Sequence, residues 1–225
     1  MKTLFINPSI AEIDVSSPVF INLIIENPSL YYAFNRYLFD GFPDHLSYIG
    51  LQKDGKPLKI EDYAEYIDSF YSINLNSKSN LNALYKLLKK TYFDQLSDGV
   101  EELQKQLDKI CSEIALDFDV ELVTDGNLRI EDVFKMGNIQ FSQNDDNSLL
   151  DTLVTYLKLV NELRGCDLIF TNHLYDYLEQ ENIEKLFSEA SYRGISIINL
   201  ERVEPVEVNK IAKTVIIDTD LCSLS

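Results

Sequence analysis

The hydrophobic period of this 225-residue chain changes twice, and that change restricts the folds open to it. From Ser77 to Leu116 the apolar residues recur at helical spacing. Leu81, Leu84, Tyr85, Leu87 and Leu88 share one face, and Val100, Leu103, Leu107, Ile110 and Ile114 do the same after a break at Asp98-Gly99. This spacing predicts an αα-hairpin or a pair of long amphipathic helices. On either side the pattern consists of short apolar runs of strand length separated by helical segments, which predicts parallel α/β units. The economical layout is an α/β domain assembled from residues 1–76 and 141–225, with a helical domain of residues 77–140 inserted into it.

Local signals fill in the segments. Val19 to Ile25 is a near-continuous apolar run, as a strand buried on both faces requires. Asn27-Pro28-Ser29 opens a helix that reaches Phe39 and closes at Gly41. Lys53-Asp54-Gly55 is a hairpin turn between two short strands, and Ile67 to Leu75 predicts another strand. Within the insert, Phe118 to Leu122 has period two, and Asp125-Gly126-Asn127 caps a helix ending at Gly137. Predicted helices at Leu149–Leu163 and Tyr175–Tyr192 alternate with strands at Asp167–Thr171, Ile195–Leu200 and Thr214–Asp218.

Composition removes several classes of function. Twenty Lys and Arg stand against 37 Asp and Glu, a formal charge of −17 whose field repels nucleic acid. The 12 Phe and 13 Tyr exclude a disordered acidic tail. No run approaches the ~20 apolar residues of a membrane span. The apolar stretch before Pro8 is too short for a signal peptide, so the expected compartment is the cytoplasm. Cys111, Cys166 and Cys222 are far apart and form no CxxC pair, so reduced core thiols are expected. With His45 and His173 the only histidines, a His-rich metal site is excluded.

An α/β chain invites a search for phosphate-binding loops. After the first buried strand the sequence reads Glu26-Asn-Pro-Ser-Leu-Tyr-Tyr, with neither the glycines nor the lysine of a P-loop, and GxGxxG is absent. No Ser-His-Asp set is present; His173 follows a strand end, where α/β sites gather, but a hydrogen-bonded loop residue beside Asn172 is the favoured reading. The most pointed polar cluster is Asp117-Phe-Asp-Val-Glu-Leu-Val-Thr-Asp-Gly. On a strand Asp117, Asp119 and Glu121 share one face, with Asp125 at the turn, and such hard oxygens suit Ca²⁺. The spacing is not that of an EF-hand, and a solvated strand face with Asp125 as an N-cap explains it as well. Asp218 and Asp220 form a weaker acidic pair. The lysines group at Lys53, Lys56 and Lys59 on one hairpin and at Lys86, Lys89 and Lys90 in the insert.

Several stretches together resemble the type II-A CRISPR adaptation proteins of the Csn-two family, over nearly the whole chain. Val120 to Ile139 is similar to the family's acidic strand, short helix and glycine-ended turn. Tyr66 to Ser77 resembles the strand that leads into its helical leg. Asp167-Leu-Ile-Phe-Thr-Asn, Ile197-Ile-Asn-Leu-Glu and Ile216-Ile-Asp-Thr-Asp resemble its later core strands. The resemblance implies a P-loop-ATPase-like α/β head with a parallel sheet but no functional P-loop, plus an inserted α-helical leg. It further implies a non-enzymatic homotetrameric ring, stabilised by Ca²⁺, that binds double-stranded DNA ends during spacer acquisition beside the spacer integrase and the type II effector nuclease.

Carried over by position, the implied calcium ligands are Glu121 and Asp125 with Asp119 nearby; Gly126 stands where other members carry a further acid. The candidate DNA-binding residues are Lys53, Lys56 and Lys59. The net charge is compatible with this, because a ring can present acid outside and lysine inside. Two other readings stay open. One is a degenerate nucleotide-binding α/β protein using Asp68, His173 and Asp218 at strand ends; the other is an acidic scaffold that recruits a basic partner.

Overall fold

The computed structural model describes residues 1–6, 11–43, 48–116, 127–142, 147–205, 211–220 and 223–224. Two compact units result, Met1–Leu75 with Asn144–Ser225 and, separately, Asn76–Gln143.

In the first unit, β1 (Lys2–Ile6), β2 (Ala11–Asp14), β4 (Ile49–Lys53) and β5 (Lys56–Leu58) form an antiparallel sheet in the order β2-β1-β4-β5. The hairpin between β4 and β5 turns on Asp54 and Gly55, with φ of 52° and 75°. Two successive left-handed residues are what a tight two-residue hairpin needs, so an Asp-Gly pair sits there.

The second sheet contains β3 (Phe20–Ile25), β6 (Ala64–Ile67), β7 (Leu168–Asn172), β8 (Ser196–Glu201), β9 (Ala212–Ile217) and β10 (Ser223–Leu224), in the order β10-β9-β3-β8-β7-β6. From β9 to β6 all five strands are parallel, and β10 pairs antiparallel with β9. Every residue of β3 and β8 is buried, which accounts for their apolar runs. The two faces differ. Ile21, Leu23, Ile25, Phe170, Ile198 and Leu200 share a core with the helix α1 (Pro28–Phe39) and with Leu4, Ile6 and Leu51 of the antiparallel sheet. On the opposite face Phe20 stacks on Phe187 of α5 (Gln180–Tyr192), at 5.8 Å between ring centroids.

The turn from β3 into α1 explains why no phosphate loop can form here. Asn27 Oδ1 accepts from the amides of Ser29 and Leu30 at 3.0 and 3.1 Å, and Pro28 has no amide proton. The amides that cradle phosphate in a P-loop are thus absent or already capped.

The second unit is helical. α2 (Lys78–Ala115) and α3 (Ile130–Met136) pack Tyr85 against Ile130 and Phe134, with Leu81, Leu84, Leu88, Leu96 and Val100 around them. The predicted break at Asp98-Gly99 is not there: α2 continues through it and departs from helical geometry at Tyr92 instead (φ −120°, ψ 19°). Three other predicted boundaries move. The strand at Ile67–Leu75 is instead β6 ending at Ile67, followed by a 3₁₀ turn at Phe70–Ser72. α5 begins at Gln180, because Leu174–Asp176 form a 3₁₀ turn of their own. The N-cap of α3 is Arg129. The remaining predicted helix is α4 (Leu149–Arg164), closed by Gly165 at φ 74°. The predicted strand Phe118–Leu122 lies outside the described residues.

Candidate functional site

Parallel strands gather polar groups at their carboxyl ends, and here β7 and β8 do so beside α1. Asn199, fully buried in β8, accepts at Oδ1 from Thr171 Oγ1 (3.1 Å) and from the Leu174 amide (3.1 Å). Its Nδ2 donates to Glu201 Oε1 at 2.9 Å. Glu201 Oε2 lies 2.9 Å from His173 Nδ1, and His173 Nε2 lies 2.8 Å from the Tyr31 hydroxyl. That hydroxyl donates to Asn172 Oδ1 at 2.5 Å.

The hydrogen-bond pattern favours a protonated histidine. The Tyr31 proton is used on Asn172, so Nε2 must donate to the tyrosine oxygen. Nδ1 faces a carboxylate and must donate too, so the network is complete only with an imidazolium. The Glu201 hydrogen bond accordingly raises the His173 pKa above its ordinary 6.5. Burial pushes Tyr31 up to about 12, which keeps it a donor.

A cleft of about 570 Å³ opens beside this network. Asp176, Glu179, Glu201 and Glu204 line it against Arg202 and the protonated His173, so acid outnumbers base and its field disfavours a triphosphate. The strand-end trio Asp68, His173 and Asp218 is not brought together. Asp68 follows β6 and Asp218 follows β9, at opposite sides of the five parallel strands. Four interstrand spacings separate them, roughly 19 Å. Asp218 Oδ1 instead accepts from the Asp220 amide at 2.9 Å, a local turn. Cys166 is buried and its thiol is pushed up to about 11, as an unreactive core thiol should be; Cys111 is half-buried.

The three hairpin lysines are exposed together. Lys53 and Lys56 are directly paired across the β4–β5 ladder, which sets two like charges on one face. Lys59 follows β5, 72% exposed, with Glu61 3.7 Å away. In the helical unit Lys89 is held by Glu131 at 2.8 Å. Asp119, Glu121 and Asp125 lie outside the described residues; among those described, no group of three or more His, Cys, Asp or Glu is placed to hold a metal. Sequence reasoning singled out His173 but not Tyr31, Asn199 or Glu201. Its one available signal was the polar interruption of a buried strand at Asn199.

The fold and the hairpin can now be set against known proteins. The model of the family described as CRISPR-associated protein (Cas_Csn2) matches residues 44–221. The chain belongs to this family. Its role is therefore CRISPR-associated, and the matched span includes the lysine hairpin and His173, Asn199 and Glu201, while Tyr31 precedes it. No curated protein matches the chain in sequence. Among solved structures it is similar to Stu0660 of Streptococcus thermophilus, with 13% identity and a TM-score of 0.59 over 94% of this chain and 74% of that one. At that identity the likeness is one of fold. A Pyrococcus furiosus protein assigned as an ABC-transporter ATP-binding protein aligns at a TM-score of 0.41, with 11% identity over 95% of this chain and 97% of that one.

Proposed function

We propose that this Csn-two family chain is a non-enzymatic, sequence-independent binder of double-stranded DNA ends. It acts in the cytoplasm as a homotetrameric ring, stabilised by Ca²⁺, and assists spacer acquisition beside the spacer integrase and the type II effector nuclease. The observation that carries the reading is the exposed Lys53–Lys56 pair, with Lys59 close in sequence. Two ammonium groups facing each other across a ladder repel, and a phosphate between them turns that repulsion into attraction. Nothing in such contacts reads base edges, so binding is indifferent to sequence. Asp119, Glu121 and Asp125 supply oxygen ligands of the kind Ca²⁺ takes. Among the described residues no helix is long and apolar enough to cross a membrane.

The test is a gel shift of linear against covalently closed circular duplex, with calcium or chelator, at about 100 mM salt so that phosphate contacts persist. Calcium-dependent retardation of linear DNA alone is expected, lost in Lys53→Glu/Lys56→Glu/Lys59→Glu. Glu121→Ala with Asp125→Ala lowers the calcium-bound mass by light scattering. No shift with either DNA overturns the reading and leaves the acidic surface as a scaffold for a basic partner.

A further inference from the structure

One recess on the α/β unit differs in chemistry from three other clefts among the described residues. It measures about 400 Å³ and opens along α1, where Tyr66 of β6 and Asn172 of β7 meet the helix. Its walls are the rings of Tyr31, Tyr32, Phe39 and Tyr66, and Asn35 and Arg36 complete it. No carboxylate lines it, in a chain of charge −17, whereas three other clefts each include Asp or Glu. Its single charged group is a guanidinium.

Part of the recess is rigid and part is open. The Tyr66 hydroxyl donates to Asn35 Oδ1 at 2.7 Å, Asn35 Nδ2 donates to the Tyr31 carbonyl at 3.0 Å, and the Tyr31 hydroxyl is fixed between Asn172 and His173. Two rings are therefore held in place before any ligand arrives, which lowers the entropy lost on binding. Tyr32 and Phe39 are 70% and 62% exposed, on the same stripe of α1 as Arg36. Leaving such rings in water forgoes apolar burial. Arg36 spends Nε on Asp40 at 2.7 Å and lies over the Phe39 ring at 5.9 Å, leaving its terminal nitrogens for an anion. The Asn172 amide nitrogen is likewise available beside the rings.

Flat π-faces, one amide edge and one guanidinium, held at Nε by Asp40 with its terminal nitrogens facing outward, match a nucleotide with its phosphate. We propose that this recess holds the unpaired terminal base of a DNA strand, stacked on Tyr32 and Phe39, with Asn172 at its edge and Arg36 toward its phosphate. The inference rests on the DNA-end reading above and refines it: the protein distinguishes a blunt end from a frayed or overhanging one.

The experiment compares a blunt duplex with the same duplex carrying a three-nucleotide overhang, its last base 2-aminopurine, by anisotropy and fluorescence quenching on the full chain. The overhang binds about ten-fold tighter and its terminal base is quenched. Tyr32→Ala/Phe39→Ala removes both the difference and the quenching; both side chains are exposed, and circular dichroism checks the fold. Equal affinity without quenching overturns the inference and leaves the DNA-end reading intact. If no duplex binds, a short single strand carrying 2-aminopurine decides. Quenching abolished by the double variant retains the recess while the DNA-end reading falls; no quenching overturns both. Equal displacement by a free mononucleotide at the same concentration reassigns the recess to nucleotides and overturns the strand-end proposal.

Discussion

His173 sits at φ 54° and ψ 44°, a left-handed conformation that costs a non-glycine residue about 1 kcal/mol or more unless its surroundings fix it. They do so through the backbone, where its amide donates to the Leu200 carbonyl at 3.0 Å, and through the ring, between Tyr31 and Glu201. The sign of the resulting pH dependence follows from the raised pKa. A histidine that binds its proton more tightly when folded contributes in full below the unfolded value near 6.5. That contribution is lost as pH rises through the folded value. His173→Gln is expected to lower stability by about 1–2 kcal/mol near pH 6, and less at pH 8.5. Urea denaturation of both proteins at the two pH values checks it; a gap that stays constant or widens overturns the imidazolium assignment. Sequence showed a histidine at a strand end and stopped there. Its partners stand 142 and 28 residues away, and no local spacing encodes such a meeting.

Among the elements, α2 shows how a local stop signal loses to a long apolar stripe. An interior glycine costs a helix roughly 1 kcal/mol, which the packing of Leu96 and Val100 around the Tyr85–Phe134 cluster outweighs. The irregularity falls at Tyr92, a residue 45% exposed, while Leu88 before it and Leu96 after it remain with the cluster. A Cβ added at Gly99 meets nothing within 4 Å. Gly99→Ala is therefore expected to raise stability by about 0.5–1 kcal/mol, measured as a shift in urea midpoint at unchanged m-value. A destabilised variant would place the helix break where the sequence suggested it. The segment after β6 misled for another reason. Ile67 and Phe70, both buried, are three residues apart, a 3₁₀ spacing that a short window does not separate from loose alternation. The strands of the parallel core were readable because burial on both faces demands continuous apolar runs.

For the whole molecule the governing tension is between a far field of −17 and a small cluster of exposed lysines. Composition alone argued against DNA, since summed charge ignores where each charge stands; the hairpin separates the two, because its turn chemistry fixes Lys53 opposite Lys56. Salt dependence then reports how many such clusters act together. Neutralising Z phosphates gives a slope of log affinity against log salt near −0.9Z. One subunit's three lysines limit that slope to about −3, whereas four subunits giving two or three contacts each reach roughly −7 to −11. Repulsion from the remaining acid weakens as salt rises and acts in the opposite sense, so the measured value belongs at the shallow end of the range. Anisotropy of a labelled linear duplex between 50 and 200 mM salt at fixed calcium is expected to give a slope steeper than about −5. A slope near −3 would mean that each subunit binds alone, and the ring would fall while the hairpin stood. Replacing Lys53, Lys56 and Lys59 by Gln should flatten the line. A steep slope surviving that change would move the DNA contacts to other lysines.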